Sequence, residues 1–196
     1  LDLFQELGGT FGRGAGAVLD LVDRHGPVPP ERAVYLLRQV CRGLREAHGI
    51  GLIHRDIKPA NIILCERGGY PDIAKVLDFG LVREISSSTD ARLTAEDVIH
   101  GTPQYLAPET IRNSQSVDAR SDLFVVGSVL YEMLTGRSAF DGASVFAVAR
   151  AIAREEPAAL AGASGVVALD RVIHRALRKR PNDRYQTAAA FAQDLR

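Results

Sequence analysis

His54-Arg55-Asp56-Ile57-Lys58-Pro59-Ala60-Asn61 runs between two apolar pieces, Leu52-Ile53 and Ile62-Ile63-Leu64. Such a loop, pinned between two short buried strands, aims a carboxylate, an ammonium and a carboxamide into one small volume. The rest of the chain reads as support for it.

Upstream, Pro29-Pro30-Glu31 opens a long helix, with proline and an acid in the first turn. Ala33, Leu36, Leu37, Val40, Leu44 and Ala47 recur at helical spacing and predict one buried stripe, ended by Gly49 and Gly51. A shorter helix is expected over about 17–24, closed by Gly26-Pro27. Ahead of it, residues 7–16 hold five glycines. They meet neither the dinucleotide-binding nor the P-loop spacing, so residues 1–18 read as an irregular, Gly-rich lead-in.

Downstream, Ile62–Cys65 and Ile73–Leu77 read as strands joined by a turn over 66–71, with Asp78-Phe79-Gly80 following. Residues 83–100 are polar and lack an apolar period, which predicts a surface loop. Ser121-Asp122 is read as the cap of a helix over Leu123–Thr135 that is apolar on every face, the mark of a central helix. Further helices are expected over about 144–154, 166–179 and 187–195. The sum is an α+β chain, mainly helical, with a small β element carrying the polar loops.

The polar residues define a chemistry. Asp56 suits a base that accepts the proton of an attacking hydroxyl, and Lys58 suits neutralising charge on a phosphoryl group in flight. The Asn61 oxygen and the Asp78 carboxylate are hard donors of the kind Mg²⁺ takes alongside substrate phosphates. Together they fit phosphoryl transfer, in which catalysis is positioning and charge neutralisation.

Composition closes off other classes. With 24 basic and 24 acidic residues among 196, there is no electrostatic carpet for nucleic acid or an anionic membrane. The most apolar run, 123–134, is too short for a bilayer and is interrupted by Glu132. Cys41 and Cys65 lie in apolar segments and read as buried thiols of a reducing, cytoplasmic compartment. His25, His48, His100 and His174 fall in no metal-ligand spacing. The first residue is Leu, which reads as a processed or excised chain.

The chain resembles the eukaryotic-type protein kinases, in their bacterial serine/threonine form. The matches are His54-Arg55-Asp56 with Asn61, then Asp78-Phe79-Gly80, then Ala107-Pro108-Glu109, in that order, with Gly101-Thr102-Pro103-Gln104-Tyr105-Leu106 before the last. The resemblance covers about 20–196 and implies the larger, helical lobe of that fold over 19–196, with the N-terminal β lobe missing. It implies Asp56 as catalytic base, Lys58 as phosphate contact and Asn61 and Asp78 as Mg²⁺ ligands. ATP would be held by Lys58, Asn61, Ile63 and Asp78, and the substrate would be a protein serine or threonine. It further implies that Glu109 pairs with Arg184, that Asp122 holds the backbone of His54-Arg55, and that Thr102 lies in the segment seating the acceptor. Arg55 ahead of the Asp implies regulation by a phosphate, with Thr94 the first candidate and Ser86, Ser87, Ser88 and Thr89 behind it. Glu96 and Asp97 read either as a solvated acidic loop or as partial stand-ins for that phosphate, pairing with Arg55.

One part has no counterpart. The family grips ATP with a lysine on a strand of the β lobe, and the first lysine here is Lys58. The chain therefore reads as an excised catalytic lobe or, alternatively, as a non-catalytic scaffold. A lobe without its roof would expose apolar surface that a partner could cover.

Overall fold

The computed structural model describes residues 16–79, 103–112, 116–162 and 164–196. Thr94, Thr102, Gly80, His100, Ser86–Thr89, Glu96, Asp97 and most of the Gly-rich lead-in lie outside the described residues. Gly16 and Ala17, read as lead-in, form strand β1 (Gly16–Ala17) against Leu64 and Ile63. Helix α1 (Val18–His25) follows directly, with Val18 wholly buried, so the folded lobe starts earlier than residue 19.

Helix α2 (Pro30–Gly49) buries the predicted stripe, Ala33, Leu36, Leu37, Val40, Leu44 and Ala47, together with Cys41. Strands β2 (Ile62–Arg67) and β3 (Tyr70–Val76) pair antiparallel, giving a three-stranded sheet of order β1-β2-β3. At the turn both strands outrun their expected ends, since the connection is only Gly68-Gly69, while β3 stops at Val76, one residue short of the expected Leu77. Both glycines have positive φ, 61° and 77°, the conformation a two-residue hairpin turn demands and glycine adopts without strain.

After the short helix α3 (Pro108–Arg112) comes the central helix α4 (Ala119–Thr135). Asp118 rather than Ser121-Asp122 caps it, accepting from the Arg120 backbone N–H at 2.8 Å. Asp122 sits one turn in and its side chain turns elsewhere, as described below. Residues Ser121 to Tyr131 are all buried, which is the all-round burial the apolar pattern predicts. Gly127 permits a close helix crossing: a Cβ there would meet the Ala176 Cβ at 2.7 Å. Helices α5 (Val145–Arg154), α6 (Ser164–Ala176) and α7 (Ala188–Asp194) complete the lobe. Ser144 and Thr187 cap α5 and α7 through their hydroxyls. One core runs from α1 and α2 through α4 to α7. Both cysteines are buried free thiols, and burial pushes Cys41 up to about 12. No helix among the described residues is long and apolar enough to cross a membrane.

Candidate active site

The loop 54–58 has no regular structure of its own, so its shape must come from outside. Its anchor is Asp122, 2% exposed on α4. One oxygen, Oδ2, accepts from the His54 backbone N–H at 2.9 Å and faces His48 Nε2 at 2.8 Å; the other, Oδ1, accepts from the Arg55 N–H at 2.9 Å. A carboxylate is costly to bury without partners, and here two loop amides and an imidazole surround it. This grip accompanies a left-handed backbone at Arg55, φ 68°, which a non-glycine residue adopts at a cost.

His54 ties the loop to the chain leading to Asp78. Its Nδ1 accepts from the Asp56 N–H at 3.3 Å and its Nε2 faces the Leu77 carbonyl at 2.8 Å, a pattern that fits the Nε2-protonated neutral ring. Phe79 packs edge-on against the ring, centroids 4.7 Å apart. The Leu77 N–H donates back to the Asn61 carbonyl at 2.9 Å. The two polar stretches, 16 or more residues apart in sequence, are thereby cross-linked through backbone groups on both sides of Leu77.

Within this frame Lys58 Nζ lies 2.8 Å from Asp56 Oδ2. Asn61 donates its amide to the Asp56 carbonyl at 2.9 Å and to Asp56 Oδ2 at 3.1 Å. Asp56 is 63% exposed to solvent, while Asn61 is buried at the base. Asn61 spends its N–H donors on Asp56, and its Oδ1 makes no hydrogen bond among the described residues. The exposed Asp78 carboxylate, on a left-handed backbone of φ 60°, likewise has no hydrogen bond or ion pair there. A carboxylate and a carboxamide oxygen left free are donors that fit a hard cation completing its shell with water and phosphate. Among the described residues no cluster of three or more His, Cys, Asp or Glu forms an all-protein cage.

Ile63, in β2 between Ala17 and Lys75, is only 1% exposed and stands outside the main core. Arg55 is exposed and makes no ion pair among the described residues. Glu109 and Arg184, 75 positions apart, form a two-pronged ion pair with both N–O distances at 2.7 Å. Ser121 donates to Glu109 at 2.6 Å, and Arg184 also donates to the carbonyls of Arg178, Lys179 and Arg120. Burial raises the Glu109 carboxyl, but the Arg184 and Ser121 hydrogen bonds outweigh it and hold the group below its usual range. Tyr105 donates to Glu132 of α4 at 2.7 Å, fastening the turn Pro103–Tyr105 to the central helix.

Three participants carried no sequence signal. His48 was one of four histidines without ligand spacing, and only the fold sets it beside Asp122. Leu77 acts through its backbone, and Ser121 looked like a helix cap.

The protein kinase domain family matches residues 13–195. A probable serine/threonine-protein kinase of Corynebacterium efficiens is 44% identical over 182 residues, covering 90% of this chain and 27% of that protein. The serine/threonine-protein kinase PknB of Mycobacterium leprae is 45% identical over 183 residues, covering 92% of this chain and 28% of that protein. The chain thus spans little more than a quarter of the length of these curated relatives. Among solved structures, a crystal structure of Rad53 1–466 in complex with AMP-PNP superposes with a TM-score of 0.67 at 28% identity. That match covers 90% of this chain and 43% of the other.

Proposed function

This chain belongs to the protein kinase domain family, and from that premise we propose that it is the acceptor-side lobe of a serine/threonine protein kinase that moves the terminal phosphate of ATP to a protein hydroxyl. The observation that carries the reading is the cluster on the Asp122-held loop: Lys58 and Asn61 both on Asp56 Oδ2, at 2.8 and 3.1 Å. Asp56 is the base for the acceptor hydroxyl. Lys58, within reach of the same oxygen, offsets charge on the phosphoryl group as it passes. Asn61 Oδ1 and Asp78 would hold Mg²⁺, which when bound supplies charge neutralisation between phosphates. Glu109 and Arg184 hold the acceptor-side segment to the helical base and do no chemistry.

Lysine in the segment Asp56-Ile57-Lys58-Pro59 supports serine/threonine over tyrosine acceptors, as do the names of the relatives. The nucleotide's roof is the part this reading assigns to residues outside the 196, since no lysine precedes Lys58. Ile63 would floor the base only once whatever covers its side chain has moved aside. Thr94 remains the proposed activating phosphosite, with Arg55 its receiver. The compartment in this reading is the cytoplasm.

Titration calorimetry with Mg·ATP on the purified chain tests the reading in its strongest form. Binding that is lost in Asp78→Asn supports a working nucleotide side. No heat at roughly millimolar nucleotide, a free energy of about −4 kcal/mol or weaker, would assign this polypeptide the part of a scaffold. In a chain carrying a β lobe, Asp56→Asn is expected to abolish transfer to a serine-containing protein. Transfer at the unmodified rate would overturn the assignment of Asp56 as base.

A further inference from the structure

Asp78 is reached through β3, and β3 is held on its far side by α2 in a way the catalytic loop does not explain. Gln39 donates Nε2–H to the Asp72 carbonyl at 2.8 Å and accepts from the Ala74 N–H through Oε1 at 3.2 Å. One side-chain amide therefore plays a neighbouring strand to the edge of β3 that β2 leaves open, satisfying two backbone groups that would otherwise need water. Arg32, two helical turns before Gln39 and so on the same face, grips the Asp72 carboxylate with two prongs, Nε to Oδ2 at 2.9 Å and the terminal nitrogen to Oδ1 at 2.7 Å. The gripped residue is itself left-handed, φ 58°, beside the register shift between Cys65 and Arg67. A strand bent there would wander without an external hold.

The strand is then suspended at two points. At its end, Leu77 is bonded on both sides to the loop, through the Asn61 carbonyl and His54 Nε2. At its middle, Asp72 and Ala74 are bonded to α2. Asp78 follows immediately on the first point and four residues after the second. We propose that Gln39 and Arg32 are positioning residues for Asp78: α2 fixes the bend of β3, and that bend sets where the Asp78 carboxylate stands relative to Asn61. The inference rests on the reading of Asp78 as a metal-side group.

Three variants of the 196-residue chain test it by NMR: Gln39→Met, which keeps length but loses both bonds, Gln39→Glu, which keeps only the acceptor for Ala74, and Arg32→Lys. Mn²⁺ is the probe, read by broadening of the Asn61 and Asp78 signals, beside amide exchange at Ala74 and Leu77 and the Asp78 carboxylate ¹³C shift. In Gln39→Met, Ala74 and Leu77 exchange faster, the Asp78 shift moves, and the Mn²⁺ needed for half-broadening rises about fivefold. Gln39→Glu and Arg32→Lys fall between this and the parent chain. Faster exchange confined to Ala74, with Leu77, the Asp78 shift and the Mn²⁺ response unchanged, overturns the proposal and leaves a clamp that only steadies the hairpin. The metal reading fails separately: Mn²⁺ broadening in the parent chain that survives Asp78→Asn counts against it, while Leu77 exchange and the Asp78 shift still decide the clamp.

Discussion

The Glu109–Arg184 pair and the Asp56–Lys58 pair contain the same chemistry, a carboxylate against a cation at 2.7 to 2.8 Å, in opposite surroundings. Arg184 has 0% of its side chain exposed and Glu109 9%, and the Arg184 guanidinium spends its remaining N–H groups on three carbonyls and lies 4.8 Å over the Phe124 ring. Asp56 is 63% exposed and Lys58 32%. A buried pair with every donor used is committed to one geometry, because removing either partner strands a charge in a poor solvent. An exposed pair can be exchanged for water, a hydroxyl or a phosphate at small cost. The buried pair thus sits where nothing can enter, and the exposed one faces solvent.

The sharpest way to break this contrast is Arg184→Leu. It leaves Glu109 buried and unpaired and is expected to destabilise the chain by about 3–5 kcal/mol in urea unfolding. A loss under about 1 kcal/mol would put this pair in the same class as the exposed one. Asp122→Ala stands between the two regions, since Asp122 is buried but serves the loop. Stranding the His54 and Arg55 amides should cost roughly 2–3 kcal/mol, with the Asp56 environment altered in the NMR spectrum of whatever remains folded.

Titration sharpens the comparison further. The folded-state carboxyl of Glu109 lies below its ordinary 4.5, so its contribution is present above that pH and disappears as the pH falls through the folded value. Glu109→Gln should flatten the acid limb of the stability curve. Lys179 has the same sign of pH dependence from the opposite cause, a charge that burial disfavours. Its Nζ is buried with no hydrogen-bond partner among the described residues, 4.0 Å over the Phe140 ring, and burial pulls the ammonium down to about 8 from 10.5. Between those values the unfolded chain binds more protons, so stability rises with pH across that window. Lys179→Met should remove the rise, measured as melting temperature from pH 7.5 to 10.5. The smallest effect belongs to the open site: Asp56→Asn is expected to change stability by no more than about 0.5 kcal/mol. A larger loss would show that the loop depends on its own exposed pair and not on Asp122.

The helices and the hairpin were legible because their signals are local. The stripe from Ala33 to Ala47 and the all-apolar run after Ser121 each report their own burial, since side-chain spacing on a helix fixes which residues share a face. The helix start at Ala119 was misread because Ser121-Asp122 has the composition of a cap, whereas the residue free to turn back on the first N–H groups is Asp118. The candidate site divides the same way. Asp56, Lys58 and Asn61 lie within six positions, so their meeting was readable from spacing. Asp78 was offered by the chemistry of a carboxylate at a strand end, the Glu109–Arg184 pair came only with the family resemblance, and His48, 74 positions from Asp122, did not come at all.

By itself, then, the sequence determined the longer helices and the hairpin, and which three polar heads share one loop, because both follow from contacts a few residues apart. Only the tertiary structure decided which carboxylate holds that loop, which histidine answers it, and that a glutamine on α2 would complete the edge of β3. Those choices depend on where a folded core brings distant backbone amides, and an aspartate or a glutamine in the sequence looks the same whether it faces water or an unpaired N–H.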